Sequence, residues 1–135
     1  MRKIRLLTTL VFSLMMFSST SYAEWTKVGV NVNGNTFYVD FAGIRKVDGY
    51  VYYWYLQDWL KPNNGFLSGK SYFQGECRVF RVKYLSYVHH KQPMGRDTGD
   101  SNSPKNPECF YPPSNSVIDD ILKKVCTTVQ NYREQ

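Results

Sequence analysis

The residues best equipped for chemistry in this 135-residue sequence are its three cysteines, Cys77, Cys109 and Cys126. Three thiols allow one bridge and one left over, in three pairings: 77 with 126, 109 with 126, or 77 with 109. Cys77 lies in a β-patterned stretch and Cys126 ends an amphipathic one. A strand cysteine and one at the inner edge of a docked helix can come within bonding distance, which favours Cys77–Cys126. Closing that loop of about fifty residues is worth roughly 4 kcal/mol in the chain-entropy account. Cys109 is then a free thiol, either buried or available for an intermolecular bond, with the buried small apolar side chain the preferred reading. His89 and His90 are adjacent, so on a strand they face opposite ways and cannot share a metal. No third ligand has a suitable spacing, and no metal or other cofactor is expected. Asp119 and Asp120 fall on a helix surface instead of facing one another as an acid–base pair. Asp40 and Asp58 end strands. No nucleophile elbow, phosphate loop, zinc-protease motif or GxGxxG occurs. The pattern is not that of an enzyme. What remains is contact chemistry, and Tyr53, Tyr55 and Trp59 are the candidate binding surface, because Tyr and Trp dominate interface hot spots.

The elements that position these residues follow an expected export signal over residues 1–23. Arg2, Lys3 and Arg5 precede an apolar run from Leu6 to Phe17, and Ser21-Tyr22-Ala23 offers small residues for cleavage before Glu24. The run is shorter than the roughly 20 residues of a membrane span. No cysteine follows the cleavage region, so the reading is a chain without a lipid anchor, periplasmic or secreted. The whole sequence carries +6; without the leader, 14 Lys+Arg stand against 11 Asp+Glu. That mild, scattered excess is not the mark of a nucleic-acid binder. Residues 24–135 suffice for one domain with one core, and export makes a disulfide natural.

Along that domain, Glu24–Val32 and Thr36–Asp40 alternate and flank Asn33-Gly34-Asn35, which reads as a hairpin. Phe41–Val47 reads as a bend and a brief strand, and Asp48-Gly49 as a second hairpin turn. Tyr50–Leu60 is a strand with aromatic residues on both faces, so neither face is a plain solvent face. Lys61–Gly65 is a loop by composition. Tyr72–Tyr84 is one long strand whose apolar parity switches near residues 79–80, which predicts a β-bulge or sharp twist there. Lys91–Pro107 reads as a long exposed loop, and Glu108–Tyr111 as a short return strand. Ser116–Cys126 is a helix with a capping box from Ser116 to Asp119. Its apolar stripe is Ile118, Ile121, Leu122, Val125 and Val129. Asp119–Lys123 and Asp120–Lys124 are spaced to pair on its outer face. The sum is an α+β domain: an antiparallel sheet of five to six strands, a C-terminal helix packed on one face, and one disulfide.

In this order and spacing the elements resemble the surface-adhesin protein E family of Gram-negative bacteria. The features are Trp25 opening the first strand, Phe37-Tyr38-Val39-Asp40, and the aromatic strand with Trp54, Leu56 and Asp58. The approach from Ser68 to Ser71 into Glu76-Cys77 follows, then Pro113-Ser114 before the helix that ends Val125-Cys126. The resemblance covers roughly residues 25–126. It implies a helix held to the concave side of the sheet by a bridge between the matching cysteines, in agreement with Cys77–Cys126. It also implies dimers in some members and binding to host extracellular-matrix or plasma proteins. The lipidation cysteine of the named adhesin is missing here, and Cys109 is additional.

The function expected is therefore an exported, non-enzymatic binding protein that contacts a protein partner through sheet or loop surface, with a homodimer among its assemblies. The competing readings are a periplasmic small-ligand carrier, an envelope-stress protein and a hydrolase inhibitor. An enclosed cavity under the helix would favour the carrier. A protruding Lys91–Pro107 loop would favour the inhibitor, and an exposed aromatic face the binding protein.

Overall fold

The computed structural model describes residues 23–131. The expected leader, apart from Ala23, and the last four residues lie outside them. Eight strands form one antiparallel sheet: β1 Thr26–Val30, β2 Thr36–Val39, β3 Arg45–Val47, β4 Tyr50–Asn63, β5 Phe66–Glu76, β6 Arg81–His90, β7 Asp100–Asn102 and β8 Cys109–Phe110. The order is β1-β2-β4-β5-β6-β7, with β3 also paired to β4 and β8 to β6. The helix α1, Val117–Asn131, closes the chain. The sheet exceeds the expected five to six strands because β3, β7 and β8 are only two or three residues long, below what periodicity resolves.

Two hairpins turn on two-residue loops with positive φ at both positions. Asp48-Gly49 (51°, 84°) joins β3 to β4, and Asn64-Gly65 (51°, 83°) joins β4 to β5. Both match the right-handed strand twist. The loop expected over Lys61–Gly65 shrinks to Asn64-Gly65, since β4 runs on to Asn63. Pro62 is tolerated because the β4–β5 ladder is irregular between Asp58 and Asn63.

The single strand expected over Tyr72–Tyr84 is corrected to a hairpin. Cys77-Arg78-Val79-Phe80 is a four-residue turn between β5 and β6. Phe80 sits at φ 59° and its N–H donates to the Glu76 carbonyl at 2.8 Å. The Arg81 Nε–Glu76 Oε2 contact of 2.8 Å joins the first pair beyond the turn. A chain reversal switches apolar parity just as a bulge does, and this turn lacks the Gly or Pro that would have marked it. A register irregularity does occur, farther on: Tyr72 pairs Ser86 while Phe73 pairs Tyr84, leaving Leu85 extra.

The helix starts on the expected cap. Ser116 Oγ accepts from the Asp119 N–H at 3.1 Å, and Asp119 Oδ2 reaches back to the Asn115 N–H at 3.1 Å. Asp119 is buried, contrary to its expected place on the outer face, and its pair with Lys123 forms at 2.8 Å. The hydrogen bond and charge of Lys123 hold its carboxyl below the usual range. The expected Asp120–Lys124 pair is replaced: Lys124 Nζ donates to the Val28 carbonyl at 3.1 Å, tying the helix to edge strand β1. Ile121, Leu122 and Val125 are fully buried among Val39, Val51, Tyr53, Phe73 and Val82. Gly75 permits that approach, since a Cβ there would stand 2.9 Å from Leu122 and from Val51. The Cys77–Cys126 disulfide, with Cα atoms 5.7 Å apart, joins the β5–β6 turn to the helix.

The expected long exposed loop from Lys91 to Pro107 is also corrected in part. It contains a 3-10 turn, Pro93–Gly95, and strand β7 paired to β6. The first part is held against the sheet by backbone groups that find side-chain partners. Met94 N–H donates to Asp58 Oδ1 at 2.9 Å, and Gly95 N–H to Ser68 Oγ at 2.9 Å. Ser68 Oγ donates to the Gln92 carbonyl at 2.6 Å, and Lys70 Nζ to the Gly95 carbonyl at 3.2 Å.

Candidate functional site

Of the three candidate contact residues, two lie under the helix. Tyr53 is 0% exposed and packs edge-to-face on Phe73 at 6.0 Å; Tyr55 is 6% exposed and meets the same ring at 5.1 Å. Tyr53 is closed to a partner, and Tyr55 shows only a small part of its surface, on the wall of a cleft beside the helix. Their parity puts them on the helix-bearing face, and the helix covers that part of it. Desolvation raises the Tyr53 phenol well above its ordinary value, and its hydroxyl has no hydrogen-bond partner. Desolvation, partly offset by the Ser71 hydroxyl, pushes Tyr55 up to about 12.

Trp59 stands apart from them. The helix covers the rows through Val51, Tyr53 and Tyr55, and the same face continues uncovered by the helix through the row Gln57–Gly69–His89. Trp59 lies over Gly69, where a Cβ would come within 3.1 Å of its ring, and stacks beside His89 at 6.1 Å. Phe66 approaches His89 at 5.1 Å, Tyr87 meets the same imidazole at 4.8 Å, and Tyr84 stacks on Tyr87 at 5.6 Å. All five of these side chains are half-buried. A cleft of about 510 Å³ opens between the start of the helix and strands β1, β2 and β4, lined by Val30, Val32, Phe37, Tyr55, Gln57 and Val117. Val30 and Val32 are exposed at its mouth. The region offers aromatic and aliphatic area together with amide and imidazole hydrogen-bonding groups.

Phe66, Tyr84, Tyr87 and His89 escape a reading by parity. The extra Leu85 shifts the alternation within β6, so Tyr84 and Tyr87 share a face although three residues apart. A bulge inside an aromatic-rich strand leaves no composition signal.

On the opposite face a serine, a histidine and an aspartate come together. Ser68 and His90 are cross-strand partners, and His90 Nδ1 is 3.2 Å from Asp97 Oδ1. The contact is too misaligned for a hydrogen bond, and neither ring nitrogen has a partner. Ser68 Oγ is engaged with the Gln92 carbonyl and the Gly95 N–H, and both Ser68 and His90 are sealed from solvent. Activated nucleophiles need an aligned base and access to substrate; this cluster has neither and fastens the 91–97 segment instead. Burial, followed by the Lys70 charge, lowers the His90 pKa.

Cys109 is free, as expected, and exposed, which corrects the preferred reading of a buried thiol in favour of the accessible one. Strand β8 lies along the outer edge of β6, opposite Val82 and Lys83, where nothing covers it. Among the described residues no group of three His, Cys, Asp or Glu side chains could hold a metal, and no helix is long and apolar enough to cross a membrane.

Comparison with known proteins agrees with this architecture. The family model for surface-adhesin protein E matches residues 25–127. The structure of crystal form II of Haemophilus influenzae protein E superposes with a TM-score of 0.59 at 13% identity, covering 79% of this chain and 90% of that one. A second Haemophilus influenzae protein E structure gives 0.57 at 13% identity, covering 79% and 86%. Protein E from non-typeable Haemophilus influenzae gives 0.54 at 13% identity, covering 81% and 79%. At that identity the likeness is one of fold. No curated protein matches the sequence.

Proposed function

The chain belongs to the surface-adhesin protein E family, and from that premise we propose that it is an exported, non-enzymatic binding protein that docks a protein partner on the uncovered end of its helix-bearing face. The observation that supports this is the group Trp59, Phe66 and His89, half-buried beyond the rows the helix covers, with Tyr87 against His89 and Tyr84 joining the group to the core. Such rings give large contact area at low conformational cost, and a partner that covered them would complete their burial. A host matrix or plasma protein is the class of partner the family points to. The leader over 1–23 and a periplasmic or secreted destination belong to the same reading, as does a homodimer formed through this face. The small-ligand carrier is less well supported, because the clefts beside the helix are open to solvent.

The test is surface capture of matrix and plasma proteins by the purified protein. Trp59→Ala should weaken capture about tenfold or more, as hot-spot truncations do, while Tyr53→Phe should leave it unchanged. Equal capture by the Trp59 variant and the parent would remove this face from consideration.

A further inference from the structure

The sheet face opposite the helix carries a different chemistry. Its central rings, Trp54 on β4 and Tyr72 on β5, are cross-strand partners with centroids 4.8 Å apart and planes 26° from parallel. That separation equals the spacing of neighbouring strands, so the rings stand upright side by side with their edges outward. Tyr52 joins them at 6.1 Å from Tyr72. Ring edges carry the positive part of the aromatic quadrupole.

Cations flank this stack on both sides. One row across the sheet reads Arg45–Tyr52–Gln74–Lys83, with Gln74 Nε2 donating to Tyr52 Oη at 2.7 Å. Arg45 and Lys83 stand three strand spacings apart, about 14 Å. The row four residues along, about 13 Å away, reads Lys27–Tyr38–Leu56–Lys70; Leu56 is buried there and Lys70 is held by the Gly95 carbonyl, which leaves Lys27, among the described residues, as the free cation on that side. Arg45, Lys83 and Lys27 have no ion-pair partner among the described residues. Of the acids on this face only Glu76 is charge-paired among the described residues; Asp40, Asp58 and Asp97 accept backbone N–H bonds and keep their charge, with Asp58 and Asp97 at the 91–97 segment, away from the Arg45–Lys83 row. Asp40 Oδ1 accepts from the Gly43 N–H at 3.2 Å, Glu76 binds Arg81, and Asp58 accepts from the Met94 N–H.

We propose that this face binds a polyanionic sugar chain, a polysaccharide bearing sulfate or carboxylate groups. Free cations and outward ring edges complement anionic groups. Gln74, Ser86 and the tyrosine hydroxyls supply partners for sugar hydroxyls. A single-stranded nucleic acid needs open ring faces for its bases, and Trp54 and Tyr72 have turned theirs on each other. An acidic protein would be expected to seek an apolar pocket, and the clefts described border the helix on the other side. The site is separate from the protein-docking surface proposed above.

The test is titration of the full protein with heparin, with neutral dextran, oligo-dT and polyglutamate as comparisons. Heparin should bind in a salt-sensitive manner and dextran should not. The double variant Arg45→Gln/Lys83→Gln should weaken heparin about tenfold, as loss of two modest charge contacts would. Lys46→Gln/Arg78→Gln removes the same charge from the cleft beside the helix, on the other side of the sheet, and should leave binding within about twofold, again by the small worth of scattered charge. Trp59→Ala should not change heparin binding, which separates this result from the fate of the protein-docking surface. The idea is overturned by no heparin binding, by equal losses in the two double variants, or by tighter binding of oligo-dT or polyglutamate.

Discussion

At the scale of single residues, burial separates side chains of the same type. Tyr53, Tyr55 and Trp59 sit within seven positions on one strand, yet the first two fill the core and the third edges an open face. Tyr53 bears a cost that Phe would not. Its hydroxyl is buried without a partner, and an unsatisfied buried polar group costs about 1–3 kcal/mol. Tyr53→Phe is therefore expected to leave the melting temperature unchanged or raise it by a few degrees. A fall would reveal a hydrogen bond, direct or through water, that the packing does not show.

At the scale of elements, two contacts set how tightly the pieces close on the sheet. The first is the bare backbone at Gly75, which admits Leu122. Gly75→Ala should cost about 1–3 kcal/mol through overpacking, whereas Gly29→Ala, with nothing within 4 Å, should cost far less. Comparable melts for the two variants would mean the helix is not seated on β5 as described. The second contact is His90 under the 91–97 segment. Its folded pKa is depressed by burial and by Lys70, so the docked state binds fewer protons than the released one. Its contribution is whole above the ordinary histidine value of about 6.5. It declines as pH falls below that value toward the depressed pKa. Chemical denaturation at pH 7.5 and 5.5 should show lower stability in acid, with a smaller difference in His90→Gln. An unchanged difference in the variant would place the titrating group elsewhere.

At the scale of the whole molecule, one helix and one bridge close a sheet that would otherwise show apolar surface on that side. The Cys77–Cys126 bond spans 49 positions, and losing such a bridge typically costs about 2–5 kcal/mol. Cys126→Ser should lower the melting temperature by about 8 °C or more, at roughly 4 °C per kcal/mol for a domain of this size. Cys109→Ser should not, because that thiol is exposed and unbonded. A Cys109→Ser variant as unstable as Cys126→Ser would contradict the pairing.

Local chemistry was enough for the helix stripe, its Ser116 cap, the Asp48-Gly49 turn and the cysteine pairing, because each depends on neighbours within a few residues or on one strong geometric constraint. The turn at Cys77–Phe80, the strands β7 and β8, and the docking of 91–97 were not legible in the same way. They depend on cross-strand register and on side chains such as Asp58 and Ser68 that lie 27 to 36 positions from their partners. The aromatic residues show the division most plainly. Alternation sorts Tyr53, Tyr55, Trp54 and Trp59 into faces, but which face is covered, and how far along, is decided only where a helix of finite length comes to rest on a longer sheet.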